Sequence, residues 1–197
     1  MRKIILFSTL TKTNSDKLLD LIFTKDLDKK VLAYMPSNGE DIKEKYVTLW
    51  KEYAQKYNSV FLLINNFTNT EQEYRNLLRA NILVISGGNT FVLLKNLRKS
   101  GLDAAIKEFV KKEDIILAGM SAGGLVLTPT IQICESVSEF SDNIVNLHNL
   151  TGLNIVNFEI SPHFTKEKFG KELVDYKSLS KNEVKEISDD DYIVIDL

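Results

Sequence analysis

The chain has 197 residues, 44% hydrophobic and 26% charged, with a formal net charge of −2. This suits one domain over residues 1–197 with a substantial core, and it argues against a nucleic-acid footprint or a membrane-surface role. One cysteine, Cys134, excludes an internal disulfide and any multi-cysteine metal site; it reads as a small buried hydrophobe.

Residues 1–7 faintly resemble the start of a signal peptide. Thr9, Thr11 and Lys12 break the apolar run early, so residues 4–7 read as a first core strand and the expected location is cytoplasmic. No stretch approaches the length of a membrane span. Asn14-Ser15-Asp16 predicts the cap of a helix in which Leu18, Leu19, Leu21, Ile22 and Phe23 recur at helical spacing. A second strand over 31–35 closes at Pro36-Ser37-Asn38-Gly39. The amphipathic segment from about Asp41 to Tyr57 carries Tyr46, Leu49, Trp50 and Tyr53 on one face, read as helix-to-sheet packing.

Residues 60–64 form the third expected strand, and the Thr70-x-x-Glu73 spacing of a capping box opens a short helix ending near Arg79. A fourth strand, 82–85, ends at Ser86-Gly87-Gly88-Asn89-Thr90, with helical pieces on either side of Gly101 beyond it. A fifth, starting near Asp114, stops at Gly119-Met120-Ser121-Ala122-Gly123. After a loose stretch, residues 155–160 form a strand ending Ser161-Pro162-His163-Phe164, and residues 166–178 form a helix. Residues 183–187 and 192–195 read as a closing hairpin with Asp189-Asp190-Asp191 as its turn, an acidic run assigned to turn chemistry.

Strands alternating with helices at this spacing predict an α/β fold with a mainly parallel sheet covered on both faces, its ligand site beyond the carboxyl ends of the strands. The Gly-x-Ser-x-Gly pentapeptide at that edge has the form of a nucleophile elbow, where a Cβ at either outer position would collide with neighbouring backbone. A serine hydroxyl needs an adjacent base. Of two histidines, His148 lies in an irregular stretch and reads as structural or exposed. His163 leaves a strand at the same edge if that strand runs parallel to the one bearing Ser121. The N–H of Ala122 and the Gly87-Gly88 loop are candidate oxyanion donors; alternatively that loop only begins a helix capped by Asn89 or Thr90.

Three blocks carry a resemblance: Ser86-Gly87-Gly88-Asn89-Thr90-Phe91-x-Leu93-Leu94, Gly119-x-Ser121-Ala122-Gly123 with Pro129-Thr130-Ile131, and Asn157-Phe158-x-Ile160-Ser161-Pro162-His163-Phe164. In order and spacing they resemble peptidase E, the aspartyl dipeptidase, and its cyanophycinase relatives. The resemblance implies a three-layer sandwich similar to class I glutamine amidotransferases (flavodoxin-like), with serine replacing the cysteine nucleophile and neither cofactor nor metal. It implies Ser121 as nucleophile, His163 as base, and Gly88 and Ala122 as oxyanion donors. Its substrates would be small peptides cut after an N-terminal aspartyl residue or, as in cyanophycinase relatives, β-linked aspartyl-arginine units. Nucleic acid and membrane are not expected partners, and a homodimer stays open.

Ser86 departs from the family's first loop glycine. Where peptidase E has its triad aspartate this chain has Ser136, preceded by Glu135, which ranks first as the acid, with Glu139 and Asp142 as rivals. Gly87, Asn89 and Glu159 are the candidate substrate contacts, Glu159 for an α-ammonium group or else as a sheet-edge surface charge. Two further readings stand beside the peptidase: a ligand-binding relative that has lost catalysis, and a hydrolase of another acyl substrate such as an ester or isopeptide.

Overall fold

A computed structural model describes residues 1–37, 44–68 and 70–197. The expected turn at Asn38-Gly39 and the Asp41 start of the second helix lie outside the described residues. In chain order the first half runs β1 (Arg2–Phe7), α1 (Ser15–Ile22), β2 (Val31–Met35), α2 (Glu44–Lys56), β3 (Val60–Leu63), α3 (Glu71–Arg79), β4 (Ile82–Ile85), α4 (Thr90–Ser100) and α5 (Leu102–Phe109). The second half adds β5 (Ile115–Met120), α6 (Ala122–Leu125), α7 (Ile133–Ser136), β6 (Glu159–Pro162), α8 (Lys166–Leu179), β7 (Val184–Ile187) and β8 (Tyr192–Asp196).

The main sheet has the order β3-β2-β4-β5-β1-β8. Its first five strands are mutually parallel and β8 runs antiparallel to β1. Successive residues of β1 serve opposite faces, as the strand's period of two requires. Ile5 and Phe7 pack with Leu18 and Ile22 of α1 and Trp50 of α2. Ile4 and Leu6 face a second core with Leu94 of α4, Ile106 of α5 and Leu125 of α6. Strands apolar on both faces are what a sheet covered by helices on both sides needs, and the result is the expected three-layer α/β sandwich. Among the described residues no helix is long and apolar enough to cross a membrane.

The C-terminal third departs from expectation. β6 begins at Glu159 rather than near 155, and β7 and β8 do not form a hairpin. β7 instead pairs in parallel with β6, giving a separate two-stranded sheet with Pro162 opposite Ile187. The cause is burial: Val184 and Ile187 of β7 enter the same core as Ile160 of β6 and Leu173 of α8. β8 meanwhile takes the free edge of β1. Residues 189–191 therefore join two sheets rather than reverse one strand onto the next. α8 itself carries a non-helical residue, Gly170 (φ 32°, ψ −127°).

Candidate active site

Ser121 stands between β5 and α6 with φ 49° and ψ −113°. A non-glycine residue in that region is strained by roughly 1–3 kcal/mol and persists only where its surroundings fix it. Here the Ser121 N–H donates to the Phe7 carbonyl at 2.8 Å, and the Ser121 carbonyl accepts from the Gly124 and Leu125 N–H groups, each at 2.9 Å. The glycines make room for the bend. A Cβ on Gly123 would lie 2.1 Å from the Ile85 carbonyl oxygen, and one on Gly119 would lie 2.8 Å from Gly124 Cα.

His163 follows β6 and also has positive φ, 59°. Among the described residues the other non-glycine positions of this kind, Asn58, Asp114, Asn146 and Asn154, are the Asn/Asp type that tolerates the left-handed region. Ser121 and His163 are the exceptions, and they meet: Ser121 Oγ lies 3.0 Å from His163 Nε2. On the other side of the ring His163 Nδ1 lies 2.5 Å from Asp189 Oδ1. An Nδ1–H donating to this carboxylate leaves Nε2 as an acceptor for the serine proton.

The β6–β7 register accounts for the contact. Pro162 and Ile187 are opposite one another, so His163, one residue past β6, and Asp189, two residues past β7, leave the small sheet at the same end, where their side chains meet. Reading 189–191 as a hairpin turn hid this acid. The available signal was an acidic run leaving a strand at the edge where His163 leaves its own.

Glu135 does not reach His163. α7 turns Ile133 and Cys134 into the core and leaves Glu135 exposed, where Oε1 accepts from Asn143 Nδ2 at 3.0 Å. Its rivals are elsewhere too. Glu139 pairs with Lys168 at 3.6 Å, and Asp142 offers its carbonyl to Asn89 Nδ2 at 2.9 Å. Glu159 is neither a substrate contact nor a surface charge. It sits at the opposite end of β6 from His163, 1% exposed, and accepts from the Tyr176 hydroxyl, Ser180 Oγ and Asn182 Nδ2. A buried carboxylate so supplied with donors is structural. Tyr176 is held far more weakly acidic than usual, by burial first and by its bond to Glu159. His148 is exposed.

A cleft of about 320 Å³ opens over Ser121 and His163. Gly87 and Gly88 form part of its wall; a Cβ on Gly87 would lie 3.2 Å from Ser121 Cβ, so this loop abuts the serine. The Gly87 carbonyl accepts from Ser37 Oγ at 2.7 Å. Asn89 is turned away into a helix cap, its Oδ1 accepting from the Val92 N–H at 3.0 Å. Tyr46, Leu49, Trp50 and Met120 give the cleft an apolar side. The aromatic face of α2 thus does two jobs: Trp50 is 1% exposed and stacks on Tyr34, yet it also borders the cleft. Cys134 lies outside this cleft, its thiol pushed up to about 12 by burial.

The model of peptidase family S51 matches residues 4–196. The chain is 30% identical over 152 residues to an uncharacterized peptidase of Listeria monocytogenes, covering 75% of this chain and 72% of that one. It is 31% identical over 120 residues to peptidase E of Shigella flexneri, covering 59% of this chain and half of that enzyme's length. Among solved structures, a candidate peptidase E of Listeria monocytogenes superposes with a TM-score of 0.76 at 25% identity, over 99% of this chain and 94% of that one. A peptidase from an acI-B1 actinobacterium shares the fold, with a TM-score of 0.72 at 18% identity over 99% and 83%.

Proposed function

The chain belongs to peptidase family S51, and from that premise we propose that it is a serine peptidase of short peptides, with Ser121 as nucleophile, His163 as general base and Asp189 as the orienting acid. The observation that carries this is the continuous contact from Ser121 Oγ through the His163 ring to Asp189 Oδ1. Ser121 Oγ attacks the scissile carbonyl while its proton passes to His163 Nε2. Asp189 holds the ring's tautomer and stabilises the imidazolium that results. The oxyanion is met by the N–H groups of Ala122 and Gly88, each such donor being worth about a hundredfold or more in rate. His163 then gives its proton to the leaving amine, and water, activated by the same ring, releases the acyl group.

The first substrates are peptides with an N-terminal aspartyl residue, the specificity implied by the resemblance to peptidase E. A second reading is favoured by the cleft itself. Tyr46, Leu49, Trp50 and Met120 suit an apolar side chain, and the described lining residues include no lysine or arginine to pair with an acidic one. A fluorophosphonate probe tests the shared chemistry, with labelling expected at Ser121 and lost in Ser121→Ala. Absence of labelling in the folded wild type would overturn the peptidase reading in favour of a non-catalytic relative. A panel of aspartyl, leucyl and phenylalanyl p-nitroanilides and dipeptides then separates the two substrate readings. Labelling with indifference to the whole panel would point to another acyl substrate.

A further inference from the structure

The nucleophile and its base stand on different sheets, so something must hold the two sheets in register at the site. Ser121 leaves the main sheet, whereas His163 and Asp189 leave the two-stranded one. Two consecutive residues at the end of β1 touch both. The Phe7 carbonyl accepts the Ser121 N–H at 2.8 Å. The next residue, Ser8, is 1% exposed, and its Oγ accepts the His163 N–H at 2.9 Å while donating to the Ile187 carbonyl, also at 2.9 Å. One hydroxyl thus joins the residue after β6 to the last residue of β7, with both of its roles occupied.

Asn14 continues the link on the acid's side. It is 2% exposed, and its Nδ2 donates to the Thr9 and Asp189 carbonyls at 3.0 and 2.9 Å, while its Oδ1 accepts from the Thr11 N–H at 2.8 Å. Asn14 was expected to cap α1, but its side chain makes no cap bond there. A buried amide spent on a loop carbonyl instead of its own helix fixes where that loop runs.

We propose that Ser8, backed by Asn14, is a positioning residue that sets the His163 ring between Ser121 and Asp189. The proposal rests on the serine-peptidase reading above. Without the hydroxyl, the His163 N–H and the Ile187 carbonyl lose a shared buried partner, and the ring shifts relative to a serine held independently through Phe7. A displacement of about 1 Å in such a pair costs on the order of a hundredfold in rate.

The test compares Ser8→Ala, Ser8→Thr and Ser161→Ala. Ser161 is a matched control: it lies in β6 two residues from His163, 0% exposed, and its hydroxyl has no hydrogen-bond partner among the described residues. Expected for Ser8→Ala is a fluorophosphonate labelling rate and kcat lowered by about ten- to a hundredfold with KM within about twofold. Ser8→Thr, which keeps the hydroxyl, recovers most of the loss, and Ser161→Ala labels at the wild-type rate. A low-field proton signal from the His163–Asp189 bond should be present in wild type and in Ser121→Ala, and weakened in Ser8→Ala. Wild-type labelling in Ser8→Ala, an equal loss in Ser161→Ala, no recovery in Ser8→Thr, or a Ser8→Ala chain that does not fold would each overturn the proposal. If even the wild type is not labelled, the peptidase reading fails, while the low-field signal still reports on Ser8.

Discussion

The strained bend at Ser121 and the corner at His163 and Asp189 meet at one site but are specified differently. The bend is contiguous in the chain: strand, bend and following turn lie within residues 115–125, and the glycine at 119 is dictated by Gly124 in the same stretch, although the one at 123 answers to Ile85 of the neighbouring strand. The corner is assembled from β6, β7 and the segment after β1, through contacts between residues 26 to 179 apart in sequence. A catalytic group can be written into a short motif when the strain that presents it is local. A group that depends on which strands pair cannot.

The largest expected effect tests whether the two regions form one device. Ser121→Ala should lower peptide turnover by about 10⁶-fold, close to what removing a whole triad costs, with the thermal midpoint preserved. Steady-state rates with the best substrate of the panel check it, and a loss smaller than about a hundredfold would mean that chemistry occurs without the elbow.

Next comes the corner. Asp189→Asn keeps the shape but favours the wrong ring tautomer, and should cost about 10⁴-fold in kcat. Glu135→Gln should stay within about twofold, because its carboxylate faces Asn143 rather than the ring. Equal losses in the two variants, read from kcat, would restore Glu135 as the acid.

The same contrast explains what could be read without coordinates. The alternation of strands and helices, the run of β2 and β4, and the capping Thr70, whose Oγ1 accepts the Glu73 N–H at 3.3 Å, all follow from local pattern. Ser121 was legible because Gly-x-Ser-x-Gly ends an apolar strand, and His163 because a second histidine was the only competitor. Asp189 was not, since nothing in the periodicity of residues 184–187 tells whether that strand pairs with β6 or folds back against β8. Glu159 was misread for a related reason. Its three donors come from residues 176–182, which only the packing of α8 and its following loop brings to the start of β6. On the apolar face of α2, Trp50 and Tyr53 pack towards the sheet as the pattern predicts, whereas Tyr46 stays 38% exposed at the cleft, a difference that depends on the neighbouring loop ends.

A smaller effect probes the construction of the bend at Ser121. Gly123→Ala puts a Cβ 2.1 Å from the Ile85 carbonyl oxygen, a backbone atom that cannot swing aside. The expected loss is about 3 kcal/mol of stability, measured by urea unfolding, together with slower fluorophosphonate labelling. Unchanged stability would mean that the bend tolerates a side chain and that the glycine is not what shapes it. Gly101 offers the comparison within the same chain: a Cβ there meets nothing within 4 Å, although its φ of 78° still disfavours alanine.

The smallest effect concerns Cys134, which sits beside Glu135 in the segment first expected to supply the acid. Burial raises its thiol from 9.0 to about 12, so the native chain holds the proton across a window in which the unfolded chain releases it. Ionisation then favours the unfolded state: this thiol's contribution to stability is complete below pH 9, declines as pH rises towards about 12, and falls by at most about 1.4 kcal/mol per pH unit. Urea melts at pH 8 and pH 10.5 should therefore diverge more for the wild type than for Cys134→Ala. At pH 8 the same protonated, enclosed thiol should resist iodoacetamide while Ser121 labels normally with fluorophosphonate. Inactivation by iodoacetamide together with modification of Cys134 would move the reactive nucleophile out of the elbow altogether, and the 3.0 Å contact between Ser121 and His163 would then need another explanation.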